Sequence, residues 1–173
     1  SGFRSMLDAP CGDLNWMQLA LEQLEIDYVG GDISPSLIEM NRRRVPELQF
    51  IEIDITSDPF PAADVWHCRD CLFQLSYRDV DLALRNFVRS EIPYALITNH
   101  RGLIRNMDIE TGGWRYIDLR RAPFNLPAPE TMLDDYNPGD LPRYVGLWTR
   151  EQIQQALSGD GQAHRALQSE GQH

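Results

Sequence analysis

Cysteine is scarce in this 173-residue chain, which contains only three, Cys11, Cys68 and Cys71. An odd and small number of cysteines excludes a disulfide-rich scaffold. Cys68 and Cys71 form a single Cys-x-x-Cys pair, a spacing found in redox and zinc sites, but a zinc site needs further ligands with matching spacing. The sequence therefore predicts neither a disulfide framework nor a metal centre.

Long apolar runs and an excess of basic charge are also absent. No stretch approaches the roughly 20 apolar residues of a membrane-spanning helix, and the first residues lack the basic and apolar regions of a signal peptide. We therefore expect a cytoplasmic protein with no membrane partner. The formal net charge is −10, so the average surface repels phosphate backbones. Nucleic acid is disfavoured as a partner, and a small-molecule substrate is expected.

Short apolar runs alternate with helical patterns along the chain. The runs that predict strands are 5–8, 26–32, 48–55, 64–68 and 94–98. The patterns that predict helices are 14–24, 35–44, 78–89 and 150–157. Strands that alternate with helices favour an α/β fold, here a Rossmann-like, doubly wound, mainly parallel sheet with helices on both faces.

The chain is long enough for one domain, which we place at residues 1–157. Within it, glycines and prolines interrupt 100–142 too often for a long regular element, which indicates an insertion or a cover on the substrate side. A late strand at 144–148, expected to be antiparallel, precedes Thr149, which begins a capping-box pattern with Gln152. The polar tail 158–173 is expected to fray.

The loop after the first strand carries the clearest chemistry, Asp8-Ala-Pro-Cys-Gly12-Asp13. It lacks the glycine pattern of a dinucleotide site, and its two aspartates would repel a pyrophosphate. S-Adenosylmethionine carries an ammonium and a sulfonium instead, so carboxylates here attract it. Gly12 permits close approach of the backbone, and the following helix start offers N–H groups to the methionine carboxylate. The loop favours S-adenosylmethionine as the cofactor.

Two further strand ends extend the same pattern. Asp32 lies 32 − 12 = 20 positions after Gly12, the separation expected of a carboxylate that binds ribose hydroxyls. Ile33 follows it and can pack on an adenine ring, while Asp54 can accept a hydrogen bond from the adenine amino group, next to Ile55. Each of these residues taken alone is also typical of a helix cap or a tight turn.

These motifs resemble those of the class I S-adenosylmethionine-dependent methyltransferases, over residues 5 to about 97, and within them a bacterial subgroup of unassigned substrate. Residues 6–16 resemble the first motif of this family, and residues 30–34 resemble the segment with its second-strand acid. Residues 50–55 resemble the family's adenine contact, and residues 64–75 resemble its fourth-strand motif. Members of the family usually begin with helices before the first strand, and their absence here suggests a truncated chain. The resemblance implies the following cofactor-binding residues: Asp8, Ala9, Cys11, Gly12, Asp32, Ile33, Asp54, Ile55 and Arg69.

Candidates for a general base follow the fourth and fifth strands. Asp70 and His100 stand where they would face the acceptor, and Asp70 is favoured of the two, although Asp70 also suits the cap of a helix and His100 an ordinary surface position. With Asn99 they also offer ligands for a divalent ion, at a spacing that is not the usual one. We expect methyl transfer to a small polar or glycan-like acceptor. The alternatives are a non-catalytic regulatory module that binds S-adenosylmethionine and, weakened by the missing glycines, a nucleotide-dependent oxidoreductase.

Overall fold

The fold is built on one seven-stranded sheet. A computed structural model describes residues 2–135, 139 and 141–169. The strands are β1 (Ser5–Asp8), β2 (Asp27–Asp32), β3 (Gln49–Glu52), β4 (Val65–Cys68), β5 (Tyr94–His100), β6 (Thr131–Asp134) and β7 (Arg143–Thr149). Their order across the sheet is β3-β2-β1-β4-β5-β7-β6. The first five strands in the chain pair in parallel, while β7 runs antiparallel to both β5 and β6.

Helices cover both faces of this sheet. They are α1 (Met17–Leu21), α2 (Pro35–Arg44), α3 (Tyr77–Arg89) and α4 (Arg150–Ser169), and a 3₁₀ helix occupies Leu72–Gln74. One face packs a core with α3 and α4 around Leu7 and Trp66. The other packs a second core with α1 and α2 around Met6 and Val65. The strict alternation of side chains along β1 and β4 divides their residues between the two cores. The predicted doubly wound α/β class and the antiparallel late strand are confirmed.

Local signals fixed two helix starts. The Ser34 hydroxyl accepts a hydrogen bond from the Leu37 amide at 3.4 Å, and Pro35 occupies the first position of α2. At the start of α4, the Gln152 amide donates to the Thr149 hydroxyl at 3.2 Å, and the Thr149 amide donates to the Gln152 side chain at 3.0 Å. The predicted capping box is therefore present.

The helix predicted over 14–24 was too long. The α1 helix covers only Met17–Leu21, because Leu14 adopts a left-handed conformation with φ of 60° that no α-helix accommodates. Trp16 stands at the helix start without a side-chain cap, so no local hydrogen bond extends it. The shortened helix leaves a long connection between β1 and α1.

Two elements in the second half also differ from prediction. The strand β6 lies inside the segment read as irregular, and its four residues are all exposed at the edge of the sheet. The α4 helix continues to Ser169 instead of ending at residue 157, and residues 170–173 of the predicted tail lie outside the described residues. Residues 162–168 of that stretch are mostly good helix formers. Among the described residues, no helix is long and apolar enough to cross a membrane.

Candidate functional site

The site lies at the carboxyl edge of the parallel strands. Because β3, β2, β1 and β4 are consecutive neighbours, the loops that follow them form one continuous rim. The loop after β1 is fixed to both adjacent strands, since the Ala9 amide donates to the His67 carbonyl at 3.0 Å and the Cys11 amide donates to the Gly31 carbonyl at 2.7 Å. The Trp66 indole also donates to the Ala9 carbonyl at 2.8 Å. This loop is therefore held rigidly over the sheet.

Gly12 and Asp32 meet at the centre of the rim. Gly12 has a φ of 55°, which favours glycine, and a side chain added there would meet no described atom within 4 Å. Its amide donates to Asp32 Oδ2 at 3.2 Å, and the Ser34 amide donates to Asp32 Oδ1 at 2.9 Å. An ionised carboxylate has about four lone-pair sites, so Asp32 keeps acceptors for two hydroxyl groups. The space in front of Gly12 is open to a ligand.

A cavity of about 310 Å³ lies beside this centre and is lined in part by Ile33, Asp54 and Ile55. Asp54 Oδ1 accepts hydrogen bonds from the Thr56 amide and hydroxyl at 2.8 and 2.7 Å. Its other oxygen accepts no hydrogen bond from any residue that the structure describes. The Asn86 side-chain amide of α3 donates to the Ile55 carbonyl at 3.0 Å. An apolar slot with one free carboxylate oxygen suits a planar base with an amino group.

Asp8 is placed differently from the other two aspartates. Its side chain is buried at 3% exposure, and both oxygens are engaged. The Tyr28 hydroxyl donates to Oδ2 at 2.7 Å, and the His67 ring nitrogen Nδ1 lies 2.6 Å from Oδ1. Asp8 therefore reaches the rim only through His67, a residue that the sequence patterns did not single out.

The rim at β1 and β2 is electronegative. Burial, followed by the charges of Asp8 and Asp32, raises the pKa of the Cys11 thiol to about 12. Cys11 is therefore a neutral thiol at physiological pH. Two carboxylates close to a loop with an open space favour a cationic ligand over an anionic one.

Arg69 and Asp70 follow β4 and belong to an ion-pair network. The Arg69 guanidinium bonds to both oxygens of Asp135 at 3.2 and 2.8 Å, and lies 4.8 Å over the Trp16 ring. Asp70 Oδ1 accepts from Arg143 at 2.8 Å, while its Oδ2 lies 3.2 Å from Arg69. Asp70 keeps 35% side-chain exposure. The Arg69 guanidinium is therefore engaged by Asp135, Asp70 and Trp16.

His100 and Asn99 end β5 on the inside of the fold. His100 is buried, and its Nδ1 lies 3.2 Å from the Ile117 carbonyl and 3.3 Å from the Ile117 amide. The Asn99 side-chain amide donates to Asp118 at 3.0 Å and to the Tyr144 hydroxyl at 2.9 Å. These contacts direct Asn99 away from a shared ligand with Asp70. Within the described residues, no group of three His, Cys, Asp or Glu side chains could hold a metal ion.

Four rings form an aromatic cluster next to the end of β5: Phe73, His100, Trp114 and Tyr116. Trp114 is 56% exposed, and its ring centroid lies 6.1 Å from Phe73 and 4.6 Å from Tyr116. His100 packs edge-on against Phe73 and Tyr116 at 5.6 and 5.1 Å. The sequence placed Phe73 in the fourth-strand motif and His100, Trp114 and Tyr116 in the irregular segment 100–142, and only the fold brings them together. An exposed indole supported by other rings is suited to packing against a flat ligand.

The residues missed by sequence reasoning are His67, Asp135 and Arg143. His67 carried one usable signal, because the parallel register places it directly opposite Asp8. Asp135 and Arg143 carried none, since Asp135 bonds to Arg69 across 66 positions of sequence and Arg143 bonds to Asp70 across 73.

Comparison with known proteins bears on this arrangement. A family profile described as a methyltransferase domain matches residues 6–91. A search among curated proteins finds no match. Many solved structures share the fold, and two of them are described next.

The apo crystal structure of the S-adenosylmethionine-dependent methyltransferase SibL superposes with a TM-score of 0.63 at 18% identity, over 86% of this chain and 50% of SibL. The Burkholderia thailandensis 1,6-didemethyltoxoflavin-N1-methyltransferase, bound to its substrate and S-adenosylhomocysteine, gives 0.62 at 16% identity, over 84% of this chain and 70% of that enzyme. This chain spans about half the length of SibL. At these identities the superpositions show the fold.

Proposed function

We propose that this chain, whose residues 6–91 match a methyltransferase-domain profile and whose fold is shared with S-adenosylmethionine-dependent methyltransferases, is a class I member of those enzymes and transfers the methyl group of S-adenosylmethionine to a small polar or glycan-like acceptor. The observation that carries the proposal is the rim over β3, β2 and β1. There an open space at Gly12, the lone pairs of Asp32 and the free oxygen of Asp54 lie in a row. These groups fit the three chemical parts of the cofactor in order.

The residues present suit this cofactor. Asp32 offers acceptors for the ribose hydroxyls, and the cavity between Ile33 and Ile55 suits the adenine ring, with Asp54 accepting from its amino group. Burial is the largest cause of the raised pKa of Cys11, but the charges of Asp8 and Asp32 also contribute to it, and the same charges favour a sulfonium and an ammonium. When bound, the cofactor supplies an electrophilic methyl carbon on a sulfonium that leaves as a neutral thioether. The bond formed joins that carbon to the acceptor heteroatom, which loses its proton.

The chain's contribution to such a displacement is alignment, exclusion of water and removal of the acceptor proton. Asp70 is the better candidate for the proton acceptor, because its side chain remains accessible while His100 is buried against the Ile117 backbone. Arg69 and Arg143 hold the Asp70 carboxylate in a fixed orientation. We propose Asp70 as the base where the acceptor needs one.

We propose that the segment 100–142 covers the acceptor side within a single domain of residues 1–157. The Gly112 amide donates to the Gln74 carbonyl at 2.8 Å, and the Arg115 amide donates to the Phe73 carbonyl at 3.1 Å, so this segment follows the connection after β4. It presents the Trp114 ring beside that connection. An aromatic face with nearby charged groups suits a sugar or another polar ring, and the acidic surface disfavours nucleic acid.

Two measurements test the proposal. Isothermal titration with S-adenosylhomocysteine is expected to give binding, and nicotinamide dinucleotide is expected to give none. Incubation with methyl-labelled S-adenosylmethionine and fractionated small-molecule extracts is then expected to label an acceptor. Failure to bind S-adenosylhomocysteine would end the proposal, whereas binding without transfer to any fraction would favour the regulatory-module alternative. The family match and the structural neighbours give that alternative no support at present.

A further inference from the structure

The imidazole of His67 is a polar group in β4 that the proposed function does not use. Its Nδ1 lies 2.6 Å from Asp8 Oδ1, and the other Asp8 oxygen accepts the Tyr28 hydroxyl. An ionised carboxylate can only accept, so Nδ1 carries the shared proton. In the neutral imidazole the second nitrogen, Nε2, is then an acceptor with its lone pair directed away from Asp8. The pair fixes one tautomer of the ring.

Nε2 has no partner within the described part of the chain. The His67 side chain is 7% exposed, and its ring meets the Trp16 ring edge-on at 5.6 Å. Trp16 belongs to the connection between β1 and α1, which also carries Gly12. The one open acceptor of His67 therefore lies close to the loop that borders the open space at Gly12.

The strand order predicts which part of the cofactor reaches this position. Adenine is assigned to the end of β3 and ribose to Asp32 at the end of β2. The next two strands across the sheet are β1 and β4. Strands are about 4.8 Å apart, so β4 lies about 14 Å from β3, and an extended ligand places its amino-acid end over β1 and β4. Asp8 and His67 face each other across those two strands.

We infer that His67 Nε2 accepts a hydrogen bond from the α-ammonium group of the cofactor, and that Asp8 is a positioning residue that acts through His67. This inference rests on the proposed function. It explains how Asp8, with both oxygens engaged inside the protein, still selects a cationic ligand. The Arg69 guanidinium is unsuited to the same role, because it would repel an ammonium and is already paired with Asp135.

The test compares two ligands that differ in one group. S-Adenosylhomocysteine carries the α-amino group, and its des-amino analogue, 5′-(3-carboxypropylthio)-5′-deoxyadenosine, lacks it. In His67→Asn the side-chain amide still reaches Asp8, but nothing stands at the Nε2 position. We expect this variant to weaken S-adenosylhomocysteine binding by about 10- to 100-fold, the effect of one hydrogen bond to a charged group, and to leave the analogue unchanged.

Two further variants separate this role from a structural one. His67→Gln places an amide oxygen near the Nε2 position and is expected to recover most of the discrimination between the two ligands. Asp8→Asn donates a proton to Nδ1, which moves the ring proton to Nε2, so discrimination is expected to fall although His67 remains. A variant that only damaged packing would weaken both ligands equally, and that result would overturn the inference.

The outcomes distinguish this inference from the function on which it rests. If the unaltered chain fails to bind S-adenosylhomocysteine, the proposed function fails. If it binds and His67→Asn retains full discrimination, only the role of His67 is wrong. Should the variants not fold, nitrogen-15 spectra of the histidines in the unaltered chain give the answer: the Nε2 resonance of His67 is expected to shift with S-adenosylhomocysteine but not with the analogue, and equal shifts contradict the inference.

Discussion

The part of the rim over β3, β2 and β1 differs from the part over β4 and β5 in how its charged groups are paired. Over β3, β2 and β1, each proposed ligand group lies at the end of a strand or in the loop that follows it, and at least one acceptor each of Asp32 and Asp54 is left available. Over β4 and β5, the charged groups form ion pairs with each other: Arg69 and Arg143 pair with Asp70 and Asp135. The first half is therefore ready for a cofactor, and the second is held together by its own ion pairs.

This contrast teaches how rigidity is obtained on each side. The cofactor side takes it from backbone hydrogen bonds between neighbouring strands, such as those of Ala9 and Cys11. The acceptor side takes it from side chains of segments distant in sequence. Alterations on the cofactor side should therefore change ligand binding, whereas alterations on the acceptor side should change turnover and folding stability.

The largest effect is expected from Asp32→Ala. Loss of a carboxylate that accepts two ribose hydroxyls removes about 4 kcal/mol, so the Kd for S-adenosylhomocysteine should rise about 1,000-fold. Titration calorimetry measures the change. Asp27→Ala is the matched control, because Asp27 is exposed at the opposite end of the same strand and should leave Kd unaltered. Equal affinity in the two variants would show that the ribose does not lie at Asp32.

Asp70→Asn tests the acceptor side. The amide keeps the size of the side chain but cannot take a proton, so kcat for a labelled acceptor is expected to fall about 100-fold. The Kd for S-adenosylhomocysteine should not change, since Asp70 is assigned to the other half of the rim. Asp134→Asn on the exposed strand β6 supplies the control. A parallel loss of cofactor affinity in Asp70→Asn would break the division between the two halves.

Arg143→Met should affect stability more than binding. Arg143 donates to Asp70 at 2.8 Å and to the Asp135 carbonyl at 2.8 Å, and its side chain is 11% exposed. Its removal leaves two partly buried carboxylates with Arg69 alone, which should lower the free energy of unfolding by about 2 kcal/mol in urea titrations. Arg42→Met, which removes one hydrogen bond to the Phe50 carbonyl, should cost less than about 1 kcal/mol. Equal losses would mean that the network adds no stability.

The same division separates what the sequence could predict from what it could not. The positions of Gly12, Asp32 and Asp54 at strand ends followed from short-range patterns, because periodicity and turn residues report local structure. The lengths of α1 and α4 and the strand β6 did not follow, because Leu14 breaks its helix by backbone conformation and β6 forms only by pairing with β7. Pairing between strands that are distant in sequence cannot be predicted from local patterns.

The burial of Asp8 escaped prediction for a related reason. A carboxylate after a strand has the same local sequence whether it faces solvent or a neighbouring strand. Its engagement depends on Tyr28 and His67, which lie 20 and 59 positions away in sequence. The attraction of the loop for a cation could be inferred from charge alone, but the side chain that presents it could not.

The smallest expected effect concerns the unequal electrostatics of the two halves. Burial, then Asp8 and Asp32, raises the pKa of Cys11 from 9.0 to about 12. Unfolding lets this thiol ionise from about pH 9, so its contribution to stability is complete below pH 9 and is lost as pH rises towards 12. The free energy of unfolding of the unaltered chain and of Cys11→Ser can be measured in urea at pH 8 and at pH 10.5. Relative to the variant, the unaltered chain should be less stable at pH 10.5 than at pH 8. Repeating the pair in an Asp32→Asn background should reduce the shift, because one of the charges that disfavours the thiolate is gone. A shift of the same size in both backgrounds would mean that the Asp32 charge does not raise the Cys11 pKa and that the cofactor side is less electronegative than we infer.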